Sequence, residues 1–322
     1  MVTLFLIPVY ILFSAYLCRW LFRWLNSCHR WFQNKVTKII IISAYIFVSS
    51  TVIISFLLPV SSVQRVLKQI SNYWLGTLVY IFLVVLFADL GRIILKKTKW
   101  ISNEKLSSRR TFVVTGGVCI VFIIAISIYG ILNARYIRTT PYEVKIEKDG
   151  GKLEELKIAL VADLHLGYSI GDDHMEQMVE KINKMDADIV LIAGDIFDND
   201  YDALYHPNYL IKKLREIKSK YGVYACYGNH DIQEKILVGF GFPSGEKKKS
   251  DLRMDEFLEK ANIKLLKDEA VLIDNSFYLV SRPDYKHPGR DIEKRKTPEE
   301  VTADLDKTKP ILVMEHEPKE IE

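Results

Sequence analysis

Four long apolar runs fill most of the first 135 residues, and they constrain the fold more than any other feature of this sequence. The runs cover approximately residues 2–18, 39–60, 73–95 and 111–132. A helix needs about 20 mostly apolar residues to cross a bilayer. The sequence therefore predicts a four-helix transmembrane region over residues 1–135, in contact with the lipid bilayer. A cleaved signal peptide is the alternative for the first run, although no basic start or small-x-small cleavage site accompanies it.

The basic residues between the runs predict an orientation. The connection after the first run holds Arg19, Arg23, Arg30, Lys35 and Lys38, and the one after the third holds Lys96, Lys97, Lys99, Lys105, Arg109 and Arg110. Only Arg65 and Lys68 follow the second run. The positive-inside rule makes the first and third connections cytoplasmic, so everything after the fourth run should be extracytoplasmic. A transporter is a further alternative, but it rests only on the four runs and the intramembrane acid Asp89.

The second part of the chain has the mixed composition of a soluble α/β domain. Residues 136–156 read as a linker and an edge strand, because polar and apolar side chains alternate before a DGG turn. From residue 157 to 322, short apolar runs alternate with amphipathic helical patterns, which is typical of an α/β domain. The net charge is only +4 and no basic stripe interleaved with aromatics is present, so a nucleic-acid partner is not expected.

Metal-binding side chains follow the predicted strands of this domain at the point where each strand ends. KIALVAD leads to Asp163 and His165, DIVLIAGD ends at Asp195, VYACYGN leads through Asn229 to His230 and Asp231, and ILVMEH ends at His316. Ligands of open α/β sheets bind outside the carboxyl ends of the strands. Taken singly, these residues could be helix caps, turn residues or hydrogen-bonded histidines. Together, at four strand ends, they indicate a metal site.

The same motifs resemble those of the calcineurin-like metallophosphoesterases. DLH at Asp163, GDIFD from Gly194 to Asp198, GNHD from Gly228 to Asp231 and the strand-end His316 carry the resemblance, which is nearest to a bacterial membrane-anchored branch. The resemblance implies an αββα sandwich with two divalent metal ions. It implies that Asp163 and His165 bind the first metal, Asn229 and His316 bind the second, and Asp195 bridges both. His230 would then be the general acid, and Asp231 would orient it.

These roles fit phosphoester hydrolysis. Two divalent ions at about 3.5–4 Å share a carboxylate and activate a water molecule for attack on phosphorus. A mixed nitrogen and oxygen donor set suits Mn, Fe, Zn or Co. The sequence therefore predicts a metal-dependent phosphodiesterase or phosphomonoesterase at the extracytoplasmic face of the membrane. Its location favours an envelope lipid or a wall-polymer phosphoester as substrate.

The sequence also departs from the family pattern. The family's GHxH segment is missing after His316, and Pro318 with KEIE reads as the first turn of a helix that stops at Glu322. We therefore expect a domain that is incomplete at its C-terminus, either as a fragment or as a short form with a degraded site. The alternative function is a non-catalytic membrane sensor or scaffold that keeps the phosphoesterase fold.

Three smaller features bear on the predicted site. SRPD resembles a family GRxD loop, so Arg282 is a candidate contact for the substrate phosphate, with a surface salt bridge as the alternative. Glu315 stands directly before His316, where relatives carry a small residue, and it either points away from the metals or adds charge. The basic loop 247–249 either contacts anionic lipid headgroups or is simply solvated.

Overall fold

The computed structural model describes residues 2–98, 100–234, 236–237, 240–241 and 250–318, and the side chains from residue 7 onward within those ranges up to 234 and again from 250. The chain divides into two compact units, Met1–Tyr136 and Ile137–Glu322. The basic loop at 247–249 and the helical turn predicted after Pro318 lie outside the described residues.

The described residues of the first unit form helices and no strand. Its helices are α1 (Val2–Cys28), α2 (Lys35–Leu57), α3 (Ser62–Thr98), α4 (Asn103–Ser107) and α5 (Arg109–Ala134). Among the described residues, α2, α3 and α5 are long and apolar enough to cross a membrane, and they contain the predicted runs 39–60, 73–95 and 111–132 almost entirely. The run 2–18 lies on α1, which is not one of those three, so the fourth span stays a prediction.

Hydrogen bonds between side chains and backbone tie these helices together. The Tyr10 hydroxyl donates to the carbonyl of Ser49 at 2.7 Å and accepts from the Trp74 indole at 2.8 Å. The Trp24 indole donates to the carbonyl of Val113 at 3.1 Å. Such bonds help to join membrane helices, because lipid offers no competing partners, and each contributes about 1 kcal/mol.

The second unit is an α/β domain. Its strands are β1 (Ile158–Val161), β2 (Ile189–Ala193), β3 (Val223–Cys226), β4 (Ile236–Leu237), β5 (Phe240–Gly241), β6 (Ile263–Leu265), β7 (Glu269–Ile273), β8 (Phe277–Arg282) and β9 (Ile311–Glu315). Its helices are α6 (Asp172–Met185), α7 (Pro207–Leu214), α8 (Leu252–Lys260) and α9 (Pro298–Thr302). The α/β prediction is confirmed.

The strands form two main sheets. The first is fully parallel with the order β1-β2-β3-β6, and the second has the order β7-β8-β9, antiparallel between β7 and β8 and parallel between β8 and β9. Strands β4 and β5 form a separate antiparallel pair. Because β1, β2 and β3 are parallel neighbours, the residues that follow them emerge at one edge of the first sheet.

Two apolar clusters cover the two faces of the first sheet. On one face, Met175, Met178, Val179 and Ile182 of α6 pack with residues of β1, β2, β3, α7 and α8. These four positions lie on one side of a helix, which explains why α6 forms and how it docks. On the other face, Leu191 and Cys226 pack against Phe277, Leu279 and Met314 of the second sheet.

The layers therefore run from helices to the first sheet to the second sheet. The predicted αββα sandwich would add an outer helical layer. Within the part of the chain that the structure describes, only the five-residue helix α9 packs near the second sheet, against β7. The helical and sheet layers beside the site are those that the sequence predicted.

The predicted edge strand within residues 136–156 is wrong, since this segment contains no strand. Alternation fixes a strand only when one face is buried, and here both Tyr142 (89% exposed) and Val144 (80% exposed) face solvent. The DGG turn does form, because the Asp149 carboxylate accepts the backbone N–H of Gly151 at 2.8 Å.

Candidate metal centre

The loops that follow β1 and β2 are joined by backbone hydrogen bonds beyond the ends of the strands. The N–H of Asp163 donates to the carbonyl of Gly194 at 3.2 Å, and that of His165 donates to the carbonyl of Asp195 at 2.9 Å. The N–H of Leu166 continues the series to the carbonyl of Ile196. The two loops are thus held side by side at the carboxyl edge of the sheet.

Three of the predicted ligands have left-handed backbone conformations. The φ angles of Asp163, His165 and Asp195 are 56°, 45° and 52°. Residues other than glycine rarely adopt such angles, which cost about 1–3 kcal/mol each and persist only where surrounding contacts hold them. The hydrogen bonds between the loops supply those contacts, so the side chains are held in fixed directions.

Asp195 lies at the centre of the site and is only 3% exposed. Its Oδ2 atom lies 3.6 Å from Nε2 of His165 and 3.1 Å from Nε2 of His316. Its Oδ1 atom accepts the backbone N–H of His230 at 2.8 Å. One carboxylate oxygen therefore faces two imidazoles from different strands, which is the arrangement that a shared ligand requires.

The ring of His316 is oriented by the end of β2. Its Nδ1 lies 2.9 Å from the carbonyl of Ala193. A carbonyl can only accept a hydrogen bond, so Nδ1 carries the proton and Nε2 faces Asp195. A hydrogen bond of this kind at the far nitrogen is the usual way in which proteins fix a metal-binding histidine.

The charges of Asp195 and His316 are coupled. Burial raises the pKa of Asp195, but hydrogen bonds from the His316 side chain and the His230 backbone outweigh burial and hold that pKa below its ordinary value. The hydrogen bond to Asp195 raises the pKa of His316 to about 9. The anionic carboxylate is thus already set for a cation, and a metal must displace the His316 proton.

Among the residues that the structure describes, two groups of side chains could each hold a metal ion. Asp163, Asp195 and His316 form one group, and His165, Asp198 and His230 form the other, with the donor atoms of each group within 4.8 Å of one another. The sequence had paired Asp163 with His165 instead. Because His165 lies 3.8 Å from Asp163 through Nε2 and 3.8 Å from Asp198 through Nδ1, it connects the two groups. Asp198 was part of the GDIFD motif but had no predicted role.

Asn229 stands between Gly228 and His230 on the loop after β3 and is half-buried. Its position on that loop agrees with the predicted ligand role, which stays a prediction. The carboxylates and imidazoles of the two groups make a mixed oxygen and nitrogen donor set, which fits a first-row divalent metal. The hydrogen-bonded Nδ1 of His316 and the lowered pKa of Asp195 also fit a metal ion held by the group that contains these two residues.

His230 has a partner that the sequence did not predict. Its Nδ1 makes a short contact with Oδ1 of Asn199, and its ring meets that of His165 edge to face, with centroids 4.9 Å apart. Asn199 is only 3% exposed and has a left-handed φ of 58°. Its backbone N–H also donates to the carbonyl of His230. No motif marks Asn199, since it meets His230 only through the folding of two loops.

Asp231 does not take the predicted place beside the His230 ring. It is fully buried, and its two oxygens accept the backbone N–H groups of Phe197 and Gly228, each at 2.8 Å. Burial raises the pKa of this carboxyl to about 7. The structure thus makes Asp231 a link between the loops after β2 and β3, while Asn199 orients His230.

Two glycines allow these loops to approach closely. A Cβ atom on Gly228 would lie 2.3 Å from Oδ1 of Asp195, and one on Gly194 would lie 2.7 Å from Cβ of His316. Gly194 also has a φ of 80°, a conformation that favours glycine. The glycines of GD and GNHD are therefore required by the space around Asp195 and His316.

Arg282, whose contact with the substrate phosphate stays a prediction, is buried in the structure. The residue is only 3% exposed, its Nη2 donates to the carbonyl of Lys296 at 3.0 Å, and its Nη1 lies 3.5 Å from Oε2 of Glu315. Glu315 accordingly faces Arg282 rather than the metal groups. The sequence could not reveal this burial, because it depends on the loop between β8 and α9.

Comparisons with known proteins agree with this site. The family model described as calcineurin-like phosphoesterase matches residues 156–320, which are 165 of the 322 residues. A protein of Danio rerio named "Transmembrane protein with metallophosphoesterase domain" is 28% identical over 116 residues, which cover 36% of this chain and 26% of the relative. A protein of Aquifex aeolicus named as an uncharacterized metallophosphoesterase is 28% identical over 193 residues, 59% of this chain and 66% of the relative.

The chain thus spans less than two thirds of the length of these relatives. The matched region nevertheless contains both metal-binding groups, the glycines that pack around Asp195 and all the strands that carry them. With a family model covering just over half of its residues, this chain belongs to the calcineurin-like phosphoesterase family.

Proposed function

We propose that this protein is a metal-dependent hydrolase of phosphomonoesters or phosphodiesters, acting at the extracytoplasmic face of a membrane. The observation that carries the proposal is the position of Asp195, whose Oδ2 faces both His165 and His316. Family membership supports phosphoester chemistry in general. The two groups of donor atoms support a pair of metal ions.

Asp163, Asp195 and His316 would hold one ion, and His165 with Asp198 would contribute to the other. Asn229 would join His316 as a ligand, as the family resemblance implies. Two divalent ions, when bound, lower the pKa of water and neutralise the phosphoryl oxygens. The chain's own residues do the rest. Asp195 stays anionic at the centre of the metal site because its pKa is lowered. The Ala193 carbonyl keeps Nε2 of His316 directed at Asp195.

His230 would donate a proton to the leaving oxygen. Its ring lies beside His165 at the rim of the site and is half-buried, so a substrate can reach it. Its contact with Asn199 involves Nδ1, which leaves Nε2 for the substrate. A positioned general acid contributes about 10²–10⁴-fold to a rate.

We expect His230→Ala to lower kcat by about 10²–10⁴-fold on a phosphoester with an alkoxide leaving group, for the reason just given. The loss should be much smaller on a p-nitrophenyl ester, because p-nitrophenolate leaves without protonation. The measurement is hydrolysis of both esters by the full chain in detergent with Mn²⁺.

His206→Ala is the matched control, because His206 is half-exposed, pairs with Asp172 and lies in neither metal-binding group. It should hydrolyse both esters at the unaltered rate. Equal losses on both esters in His230→Ala would exclude the acid role. If the unaltered chain shows no Mn²⁺-dependent hydrolysis of either ester, the proposed function is excluded.

The extracytoplasmic location rests on charge. The connection between α3 and α5 contains Lys99 and Lys105, with Lys96, Lys97, Arg109 and Arg110 at its borders. The connection between α2 and α3, residues 58–61, has no basic residue, and only Arg65 and Lys68 follow it on α3. The positive-inside rule then places the end of α5 outside, whatever α1 does. A site on that side of the membrane favours an envelope lipid or wall-polymer phosphoester as substrate.

We expect a phosphatase reporter that folds only outside the cytoplasm to be active when it is fused after Lys152. A fluorescent protein that folds only in the cytoplasm should stay dark at the same position. Fusion of both reporters after Lys99, in the basic connection, is the matched control and should give the opposite pair of signals. A bright fluorescent fusion after Lys152 would reverse the proposed orientation.

A further inference from the structure

A buried cluster of charges lies directly behind His316. It consists of Arg282, Glu315 and Arg295, which we call the arginine–glutamate triad. Their side chains are 4%, 7% and 3% exposed. Nη2 of Arg295 lies 2.6 Å from Oε1 of Glu315, and Nη1 of Arg282 lies 3.5 Å from Oε2.

The triad connects three parts of the chain. Arg282 ends β8 and Glu315 ends β9, and these two residues are register partners in the parallel pair. Arg295 belongs to the loop that precedes α9, and its Nη1 donates to the carbonyl of Pro283 at 2.9 Å. The triad therefore holds the last residue of β9 from two sides.

His316 follows Glu315 directly. Successive side chains of a strand point to opposite faces, so Met314 packs into the core between the sheets while Glu315 points away from it. His316 then turns back toward the first sheet, where it meets Asp195 and the Ala193 carbonyl. The direction of Glu315 thus sets the direction of His316.

Stability alone does not explain the triad. Removing two arginines and a carboxylate from water is costly, and apolar side chains of similar volume are often as stable or more stable at such positions. In some proteins, buried charges of this kind fix one geometry rather than add stability. The residue next to the triad whose geometry matters for the metal site is His316.

We propose that Arg282, Glu315 and Arg295 are positioning residues that fix the end of β9 and so aim Nε2 of His316 at Asp195. This inference rests on the proposed metal-dependent function, and it concerns His316 even when no metal is added. Substitution of the supporting partners of a metal ligand typically lowers metal affinity by about 10–100-fold.

The first test removes the charges but keeps the volume, in the triple variant Arg282→Met, Glu315→Leu, Arg295→Met of the full chain in detergent. Mn²⁺ affinity is measured by titration, and His316→Ala shows how much of it depends on His316. We expect the triple variant to melt at or above the temperature of the unaltered chain and to bind Mn²⁺ about 10–100-fold more weakly. Arg253→Met is the matched control, because it breaks an exposed arginine–carboxylate pair with Asp202 and Asp251.

The second test needs no metal. Diethyl pyrocarbonate acylates accessible neutral imidazoles, and the His316 side chain is only 8% exposed. In EDTA, the triple variant should label several-fold faster at His316 by peptide mass spectrometry, with His206 labelled at the unaltered rate. If the triple variant unfolds, Arg295→Lys decides, since it keeps the charge and loses the planar fork.

Unchanged Mn²⁺ affinity and unchanged His316 labelling in a folded triad variant would overturn the positioning role. The failure of the proposed function looks different. In that event the unaltered chain would bind no Mn²⁺, or its Mn²⁺ affinity would equal that of His316→Ala. The triple variant would still be labelled faster at His316 than the unaltered chain.

Discussion

Asp195→Asn should reduce Mn²⁺-dependent hydrolysis by more than about 10⁴-fold, the upper end of what a single general acid contributes. The substitution leaves Oδ1 to accept the His230 N–H, but it replaces the oxygen that faces His165 and His316 with an amide nitrogen. That nitrogen cannot bind a cation. Both metal groups lose their common neighbour, so activation of water and neutralisation of the phosphate fail together.

The measurement combines metal content with rate. We expect two ions per unaltered chain after removal of free metal, and fewer than one in Asp195→Asn. Asp188→Asn is the matched control, because it makes the same change at the opposite end of β2, where Asp188 accepts the N–H of Lys157 at 2.8 Å. Asp195→Asn that keeps both ions and its rate would contradict the central role of Asp195.

The same experiment separates the enzyme from a sensor. A protein that keeps only the fold would bind fewer ions in the unaltered chain and would show no Mn²⁺-dependent rate. A phosphoesterase loses metal and rate together when Asp195 changes. The two measurements are therefore informative only as a pair.

The strands that carry the site could be predicted because they are apolar on both faces. Parallel strands covered by a layer on each side read as unbroken runs such as DIVLIA, and the polar residues after them are conspicuous. The short strand β6 and the half-exposed strand β7 were not predicted, because Lys264 interrupts the apolar pattern of β6 and β7 is a run of only four apolar residues after the exposed Glu269. Pairing with neighbours, rather than local sequence, makes these two segments strands.

The partners of the site residues could not be predicted in the same way. Asn199 reaches the ring of His230 from a loop 31 residues away in sequence. Arg282 looked available to a phosphate, yet the loop that carries Arg295 covers it. Such contacts depend on how loops fold over one another, and no spacing of residue types indicates them. The sequence therefore located the site but did not predict the partners of His230 and Arg282 that the structure shows.

Asp231→Ala should lower the free energy of unfolding of the second unit by about 2–6 kcal/mol at pH 5. The substitution leaves the buried N–H groups of Phe197 and Gly228 without their acceptor, and each unsatisfied group costs about 1–3 kcal/mol. The loops after β2 and β3 lose their link as well. The measurement is denaturant unfolding of the full chain in EDTA, monitored by far-UV circular dichroism.

The cost of Asp231→Ala should depend on pH, because burial raises the pKa of Asp231 to about 7 in the folded protein. A free aspartate has a pKa of about 3.9. Between these values the unfolded chain gives up the proton while the folded chain keeps it, so the contribution of Asp231 to stability falls as pH rises through this window. The difference between the unaltered chain and Asp231→Ala should therefore be larger at pH 5 than at pH 8.

Asp149→Ala is the control for this prediction, because Asp149 also accepts a backbone N–H but does so in an exposed turn. It should change the free energy of unfolding by less than about 0.5 kcal/mol, as surface substitutions usually do. If Asp231 instead acted by orienting His230, Asp231→Ala would lower kcat on the alkoxide ester and leave unfolding unchanged. If Asp231→Ala lowers the free energy of unfolding while the folded fraction keeps its kcat, Asp231 acts by joining the two loops. Asn199 is then the residue that orients His230.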